Sequence, residues 1–143
     1  MDEKFIRRIE DSFSLLAPRG EELVDRFYAN LFARNPELRP LFPPDMKNQK
    51  GKLLASLVLV VKNLRKPETL RSALLDLGAR HEEIGTRHEH YPVVRDTLLD
   101  VMGQIAGDDW SNQLNSDWAA ALDFVGSVMI EGQKAAAISP SAN

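Results

Sequence analysis

The chain has 143 residues with 18 basic and 21 acidic side chains, which gives a formal net charge of −3. This length suits one domain that is large enough to enclose an internal pocket. The near balance of charges gives no reason to expect nucleic acid or an anionic membrane as a partner. The chain has no cysteine, which excludes disulfides, thiolate metal sites and a cysteine nucleophile.

Two features of the sequence bear on localisation. The start of the chain, Met1-Asp2-Glu3-Lys4, is charged, and no secretory hydrophobic region follows it. The longest apolar run covers residues 53–61 and is too short to span a bilayer. We therefore expect a cytoplasmic protein with no membrane association.

Apolar residues recur every three or four positions along almost the whole chain, which predicts an all-α protein. The predicted helices, about seven in number, cover roughly residues 3–16, 21–34, 36–41, 46–64, 68–84, 92–107 and 110–133. We expect Asp108 and Asp109 to cap the last helix, and the tail to fray from about residue 134. So many short helices predict a fold in which helices cross at large angles around a pocket.

A histidine interrupts one of these apolar stripes. Leu70, Leu74, Leu77, His81 and Ile84 lie three or four residues apart and so share one helix face. A buried imidazole needs a hydrogen-bond partner for at least one ring nitrogen. On this pattern alone two interpretations remain: a core histidine bonded to a backbone carbonyl, or a metal ligand held in the apolar interior.

Several short motifs occur in a recognisable order and spacing. They are Phe27-Tyr28-Ala29-Asn30-Leu31-Phe32, then Pro36, Leu41-Phe42, Leu77-Gly78-Ala79-Arg80-His81, Tyr91 and Trp118. Together they resemble bacterial globins, namely single-domain haemoglobins and the haem domain of flavohaemoglobins, from about residue 3 to 133. The resemblance implies that residues 1–143 form a single globin domain around a haem pocket. It also implies haem b as the cofactor and His81 as the proximal iron ligand.

The same resemblance implies a distal wall made by Tyr28, Gln49 and Leu53, with Phe42 packed on the haem. Gln49 and Leu53 lie four residues apart and so share a helix face. A phenol O–H and an amide N–H are both donors suited to the partial negative charge that a bound diatomic gas acquires. Without the resemblance, the sequence also allows Tyr28 and Phe42 as core residues and Gln49 as a solvated one.

Further residues match the family at the edge of the pocket. Lys52 and Arg80 are candidates to pair with the haem propionates, although solvent-exposed charges are the alternative. Tyr91 lies ten residues after His81, where the flavohaemoglobin haem domain has a tyrosine. In that domain a glutamate near the end of the last helix bonds the proximal histidine, and the matching position here is Gln133. A neutral amide weakens the electron donation that favours oxidative chemistry.

The resemblance thus implies a haem-binding globin that reversibly binds dioxygen, with oxygen binding or transport as its role and with nitric oxide and carbon monoxide as further ligands. One alternative is a nitric oxide dioxygenase that uses a separate reductase as its partner. Another is a haem-based gas sensor module. The sequence leaves the oligomeric state open.

Overall fold

The computed structural model describes residues 1–138. This part of the chain contains six α-helices and no strand. The helices are α1 (Glu3–Leu16), α2 (Gly20–Arg34), α3 (Lys47–Lys62), α4 (Pro67–Glu83), α5 (His90–Ala106) and α6 (Asn112–Ile138). None of the helices in residues 1–138 is both long and apolar enough to cross a membrane. The predicted all-α class is confirmed.

The short helix predicted at residues 36–41 is a 3-10 helix rather than an α-helix. Its hydrogen bonds join residues three apart, as from Leu38 N to Asn35 O at 3.0 Å. Pro40 lies inside this segment and has no N–H to donate to an α-helical bond. Two further 3-10 turns, Ala17–Arg19 and Gly107–Asp109, join neighbouring helices.

The last helix differs from the prediction at both ends. Asp108 and Asp109 lie in the 3-10 turn and do not cap it. The cap is Ser111, whose hydroxyl oxygen accepts a bond from Leu114 N at 3.1 Å. At its other end α6 continues to Ile138 instead of fraying from about residue 134, since the run of alanines there favours helix. The rest of the predicted frayed tail, residues 139–143, lies outside the described residues.

Helices α4 and α6 pack against each other at two glycines. A Cβ atom on Gly78 would lie 2.0 Å from the carbonyl oxygen of Met129, and one on Gly132 would lie 2.2 Å from that of Leu75. The two backbones are therefore in direct contact, and no other residue fits at either position. Because His81 follows Gly78 by less than one helical turn, this contact determines where the imidazole lies.

Helices α3 and α4 flank a cleft of about 330 Å³. Ser56 and Leu59 line it from α3, and Leu77 and Arg80 line it from α4. Gln49 and His81 lie on the same two helices. Of the predicted site residues, Arg80 lines this cleft, whereas Gln49, Leu53 and His81 lie on the helices that border it without lining it. Tyr28 lies on α2.

Candidate functional site

His81 is half-buried on α4, and its Nδ1 lies 2.8 Å from the carbonyl oxygen of Leu77. A carbonyl only accepts, so Nδ1 carries the proton and Nε2 keeps its lone pair. Among residues 1–138 no group bonds Nε2. Burial lowers the pKa of His81, the bond to Leu77 offsets part of this, and the charge of Arg80 lowers the pKa further. His81 is thus a neutral imidazole at neutral pH with a lone pair available for a metal.

Tyr28 and Gln49 form a hydrogen-bonded pair between α2 and α3. The amide Nε2 of Gln49 donates to the phenol oxygen of Tyr28 at 3.1 Å, and Tyr28 is only 4% exposed. Burial raises the pKa of Tyr28 more than the bond from Gln49 lowers it, so the phenol stays protonated at neutral pH. Since its oxygen accepts the bond from Gln49, the phenol proton remains available for a third group.

Aromatic rings enclose Tyr28. Phe27 and Phe42 meet it edge to face, with ring centroids 4.9 and 5.6 Å away, and the Phe32 centroid lies at 5.8 Å. Phe32 and Phe42 also contact each other at 5.3 Å. Such tilted and edge-to-face contacts favour one ring orientation over others. Phe42, predicted from the sequence to pack on a cofactor, is therefore also a direct neighbour of the Tyr28 ring.

The remaining predicted residues occupy the rim of the site. Leu53 is half-buried one turn after Gln49 and packs against the core. Lys52 and Arg80 are exposed on α3 and α4, and Arg80 lines the cleft. Within residues 1–138 neither cation forms an ion pair. Both charges are thus available at the surface of the two helices that border the cleft.

Tyr91 belongs to a buried network that does not include His81. Its hydroxyl donates to Oε1 of Gln133 at 2.6 Å. The Nε2 of Gln133 donates to the carbonyl of Thr86 at 2.7 Å and lies 3.4 Å from a carboxylate oxygen of Glu82. Burial raises the pKa of Tyr91 to about 12, and the charge of Glu82 adds to the rise. Through one amide, α6 is bonded to the start of α5, the end of α4 and the segment between them.

Glu131 is the nearest carboxylate along α6, but it lies outside this network. Its side chain is exposed and pairs with Arg71 of α4 at 2.8 Å. The residue at the centre of the network is therefore the neutral Gln133.

The sequence reasoning missed Arg39. Its guanidinium lies 5.1 Å above the centre of the Phe32 ring. It also donates to the carbonyl oxygens of Phe42, Pro43 and Pro44, at 3.2, 3.1 and 3.1 Å. Every residue has a backbone carbonyl, so no sequence pattern marks these acceptors in advance.

This set of side chains fits a haem better than a bare metal ion. A protein-bound metal ion is commonly held by three or four side chains, and residues 1–138 contain no group of three or more histidines and acidic residues placed to bind one. A haem iron needs only one axial imidazole from the protein. His81 offers such an imidazole, and Leu53, Leu77 and Phe42 offer half-buried apolar surface to a porphyrin.

Comparisons with known proteins identify the family of the chain. The family model described as Globin matches residues 25–129. A flavohemoprotein of Rhizobium meliloti is 30% identical over 110 residues, which cover 75% of this chain but only 27% of the relative. The chain thus spans about a quarter of that protein's length. An uncharacterized globin-like protein of Aquifex aeolicus is 26% identical over 134 residues, covering 94% of this chain and 95% of the relative.

The solved structures include a bacterial globin from Campylobacter jejuni with a TM-score of 0.82 and 25% sequence identity. The alignment covers 93% of this chain and 96% of that structure. The chain belongs to the globin family.

Proposed function

We propose that the chain binds haem b through Nε2 of His81 and reversibly binds dioxygen beside Tyr28 and Gln49. When bound, the haem would supply an iron that can take up a diatomic gas. The observation that carries the proposal is the Tyr28–Gln49 pair, in which the phenol accepts one bond and keeps its proton for another. A buried phenol with a free proton is a preorganised donor for a ligand that gains negative charge.

Each residue of the site has a separate task. Tyr28 donates to the gas ligand, and Gln49 orients the phenol by donating to its oxygen. A hydrogen bond to a charged group contributes about 1.5–3 kcal/mol, equivalent to about 10- to 150-fold in affinity. Leu53 and Phe42 exclude water from the pocket. Lys52 of α3 and Arg80 of α4, both exposed cations, would pair with the propionates.

A nitric oxide dioxygenase is the second candidate, because the same donor pair would hold the dioxygen that this reaction consumes. One nitric oxide, one dioxygen and one electron give nitrate, so a partner reductase must resupply the electron. The surroundings of His81 favour reversible binding instead, since its Nδ1 donates to the backbone carbonyl of Leu77 rather than to a carboxylate. Rapid formation of stoichiometric nitrate on mixing the dioxygen form with nitric oxide supports the second candidate, and slow reaction argues against it.

Absorption spectra of the purified protein test the proposal. We expect a strong Soret band, and carbon monoxide and dioxygen complexes after reduction of the iron. The extracted haem should be iron protoporphyrin IX.

His81→Ala should lose most of the haem because the iron loses its only protein ligand. His88→Ala is the matched control, since His88 is exposed and should leave the haem content unchanged. Stoichiometric haem in His81→Ala contradicts the assignment.

A further inference from the structure

The segment between α2 and α3 carries Phe42 and leads into the helix that carries Gln49. It contains four prolines, which have no N–H and so cannot donate backbone hydrogen bonds: Pro36, Pro40, Pro43 and Pro44. Phe42 itself has an extended backbone, and its N–H bonds to Arg39 O at 3.1 Å. A segment so poor in backbone donors needs side chains to hold it in place.

Arg39 supplies that support. Its Nη1 and Nη2 atoms donate to three successive carbonyls, those of Phe42, Pro43 and Pro44. The planar fork of a guanidinium has five N–H donors, so one arginine can bond several acceptors at once, whereas a lysine ammonium acts as a flexible point charge. These bonds hold the backbone of residues 42–44 against the 3-10 helix that carries Arg39.

The same guanidinium also contacts the ring cluster around the donor. It stacks 5.1 Å from the centre of Phe32, within the range of a cation–π interaction. Phe32 and Phe42 both touch the ring of Tyr28. Arg39 thus contacts two of the three phenylalanines around Tyr28, one through its ring and the other through its backbone.

We infer that Arg39 is a positioning residue that sets the orientation of the Tyr28 phenol through Phe32 and Phe42. It does not touch the gas ligand itself. This inference rests on the proposed function, because it concerns the donor that the proposed function assigns to the ligand. It predicts that a partly exposed arginine outside the pocket controls how long dioxygen stays bound.

The test is a double-mutant cycle on dioxygen release from the haem-loaded protein. Tyr28→Phe should speed release by about 10- to 100-fold, because it removes the donor. Arg39→Gln should speed release by about threefold to tenfold, as expected for residues coupled through one contact network. In the Tyr28→Phe background, Arg39→Gln should have almost no further effect, since the group that it positions is gone.

Three comparisons separate positioning from a general structural role. Arg39→Lys keeps the charge but lacks the planar guanidinium, so we expect it to release dioxygen about as fast as Arg39→Gln. If Arg39→Gln folds poorly, Arg39→Lys takes its place in the double-mutant cycle. Arg34→Gln removes an exposed ion pair with Asp100 and should leave release unchanged. Hydrogen exchange of the purified protein should be faster at residues 41–47 in Arg39→Gln but not in Arg34→Gln.

The outcomes that overturn the inference are distinct from those that overturn the proposed function. If Tyr28→Phe speeds release but Arg39→Gln does not, only the role of Arg39 is wrong. If Arg39→Gln speeds release equally in both backgrounds, it does not act through Tyr28, and the inference is also wrong. If Tyr28→Phe leaves release unchanged, the proposed donor role fails and the role of Arg39 fails with it.

Discussion

The hydrogen bonds of Gln133 determine which type of side chain fits at this buried position. It is completely buried, and its amide both accepts from Tyr91 and donates to Thr86. A carboxylate only accepts, so it would satisfy Tyr91 but not the carbonyl of Thr86. It would also place a second negative charge near Glu82, whose oxygen lies 3.4 Å from the amide nitrogen. The surroundings of position 133 therefore favour an amide over an acid.

The substitution Gln133→Glu tests this requirement. We expect the free energy of unfolding to fall by about 1–3 kcal/mol at pH 7, because a buried acceptor loses its donor. The loss should shrink as the pH falls towards 4, since burial and Glu82 favour the protonated carboxyl, which can donate. Urea unfolding at several pH values measures this, with Gln104→Glu as the exposed control. Equal stability of wild type and Gln133→Glu at pH 7 contradicts the argument.

At the scale of elements, the contact between α4 and α6 determines the position of the proximal histidine. The two helices meet backbone to backbone at Gly78 and Gly132, where even a methyl group would overlap a carbonyl. Protein interiors are close-packed, so an added atom at such a contact moves a whole helix rather than a side chain. The position of His81 therefore depends on a residue with no side chain.

Gly78→Ala should separate α4 from α6. Overpacking of this kind costs about 1–3 kcal/mol of stability, and we expect haem retention to fall as well because His81 moves with α4. Gly51→Ala is the matched control on α3, where an added Cβ meets nothing within 4 Å. That change should stabilise the protein by about 0.5–1 kcal/mol through helix propensity. Thermal unfolding and haem content are measured for both variants. Unchanged stability and unchanged haem content in Gly78→Ala would refute the prediction.

At the scale of the whole molecule, the first and last helices are joined by two side-chain contacts. Asp117 of α6 accepts two bonds from the guanidinium of Arg8 in α1, at 2.5 and 3.1 Å. Next to it, the indole N–H of Trp118 donates to the hydroxyl of Ser12 at 2.9 Å. Asp117 and Trp118 are 4% and 1% exposed, but the Arg8 side chain is 39% exposed. The contact between Trp118 and Ser12 therefore lies within the core, and the ion pair lies at its edge. They stabilise the packing of α1 on α6, two segments that are more than one hundred residues apart in the sequence.

Asp117→Asn should lower the free energy of unfolding by an amount that depends on pH. The bond from Arg8 lowers the pKa of Asp117 in the folded protein, with a smaller contribution from Gln113. A lowered carboxyl pKa stabilises the fold above the unfolded value of about 4, and this stability is lost as the pH falls through the folded value. The variant should therefore be less stable than wild type at pH 7, and the difference should narrow below pH 4.

The control for this prediction is Asp100→Asn, which removes an acidic partner from the exposed pair with Arg34. Exposed pairs contribute little, so this variant should unfold like the wild type. Denaturant unfolding from pH 7 down to pH 3 gives the comparison. A constant difference between Asp117→Asn and wild type across that range would show that the ionised carboxylate is not the cause.

The sequence by itself determined the helices, the all-α class and the family. These follow from interactions within a few residues: apolar side chains at helical spacing, prolines at helix starts such as Pro67, and Gly85, whose φ of 84° ends α4. The same spacing, joined to the family motifs, identified His81, Tyr28 and Gln49 as candidate site residues. The local signals misplaced the α6 cap because both aspartates and a nearby serine are good caps.

Only the tertiary structure decided which groups these residues contact. The partner of Tyr91 lies 42 residues away, that of Tyr28 lies 21 residues away, and that of Arg8 lies 109 residues away. Arg39 bonds backbone carbonyls, which carry no sequence signature. The physical reason is one of range: a helix is specified by neighbours along the chain, whereas a hydrogen bond between helices depends on how every helix packs.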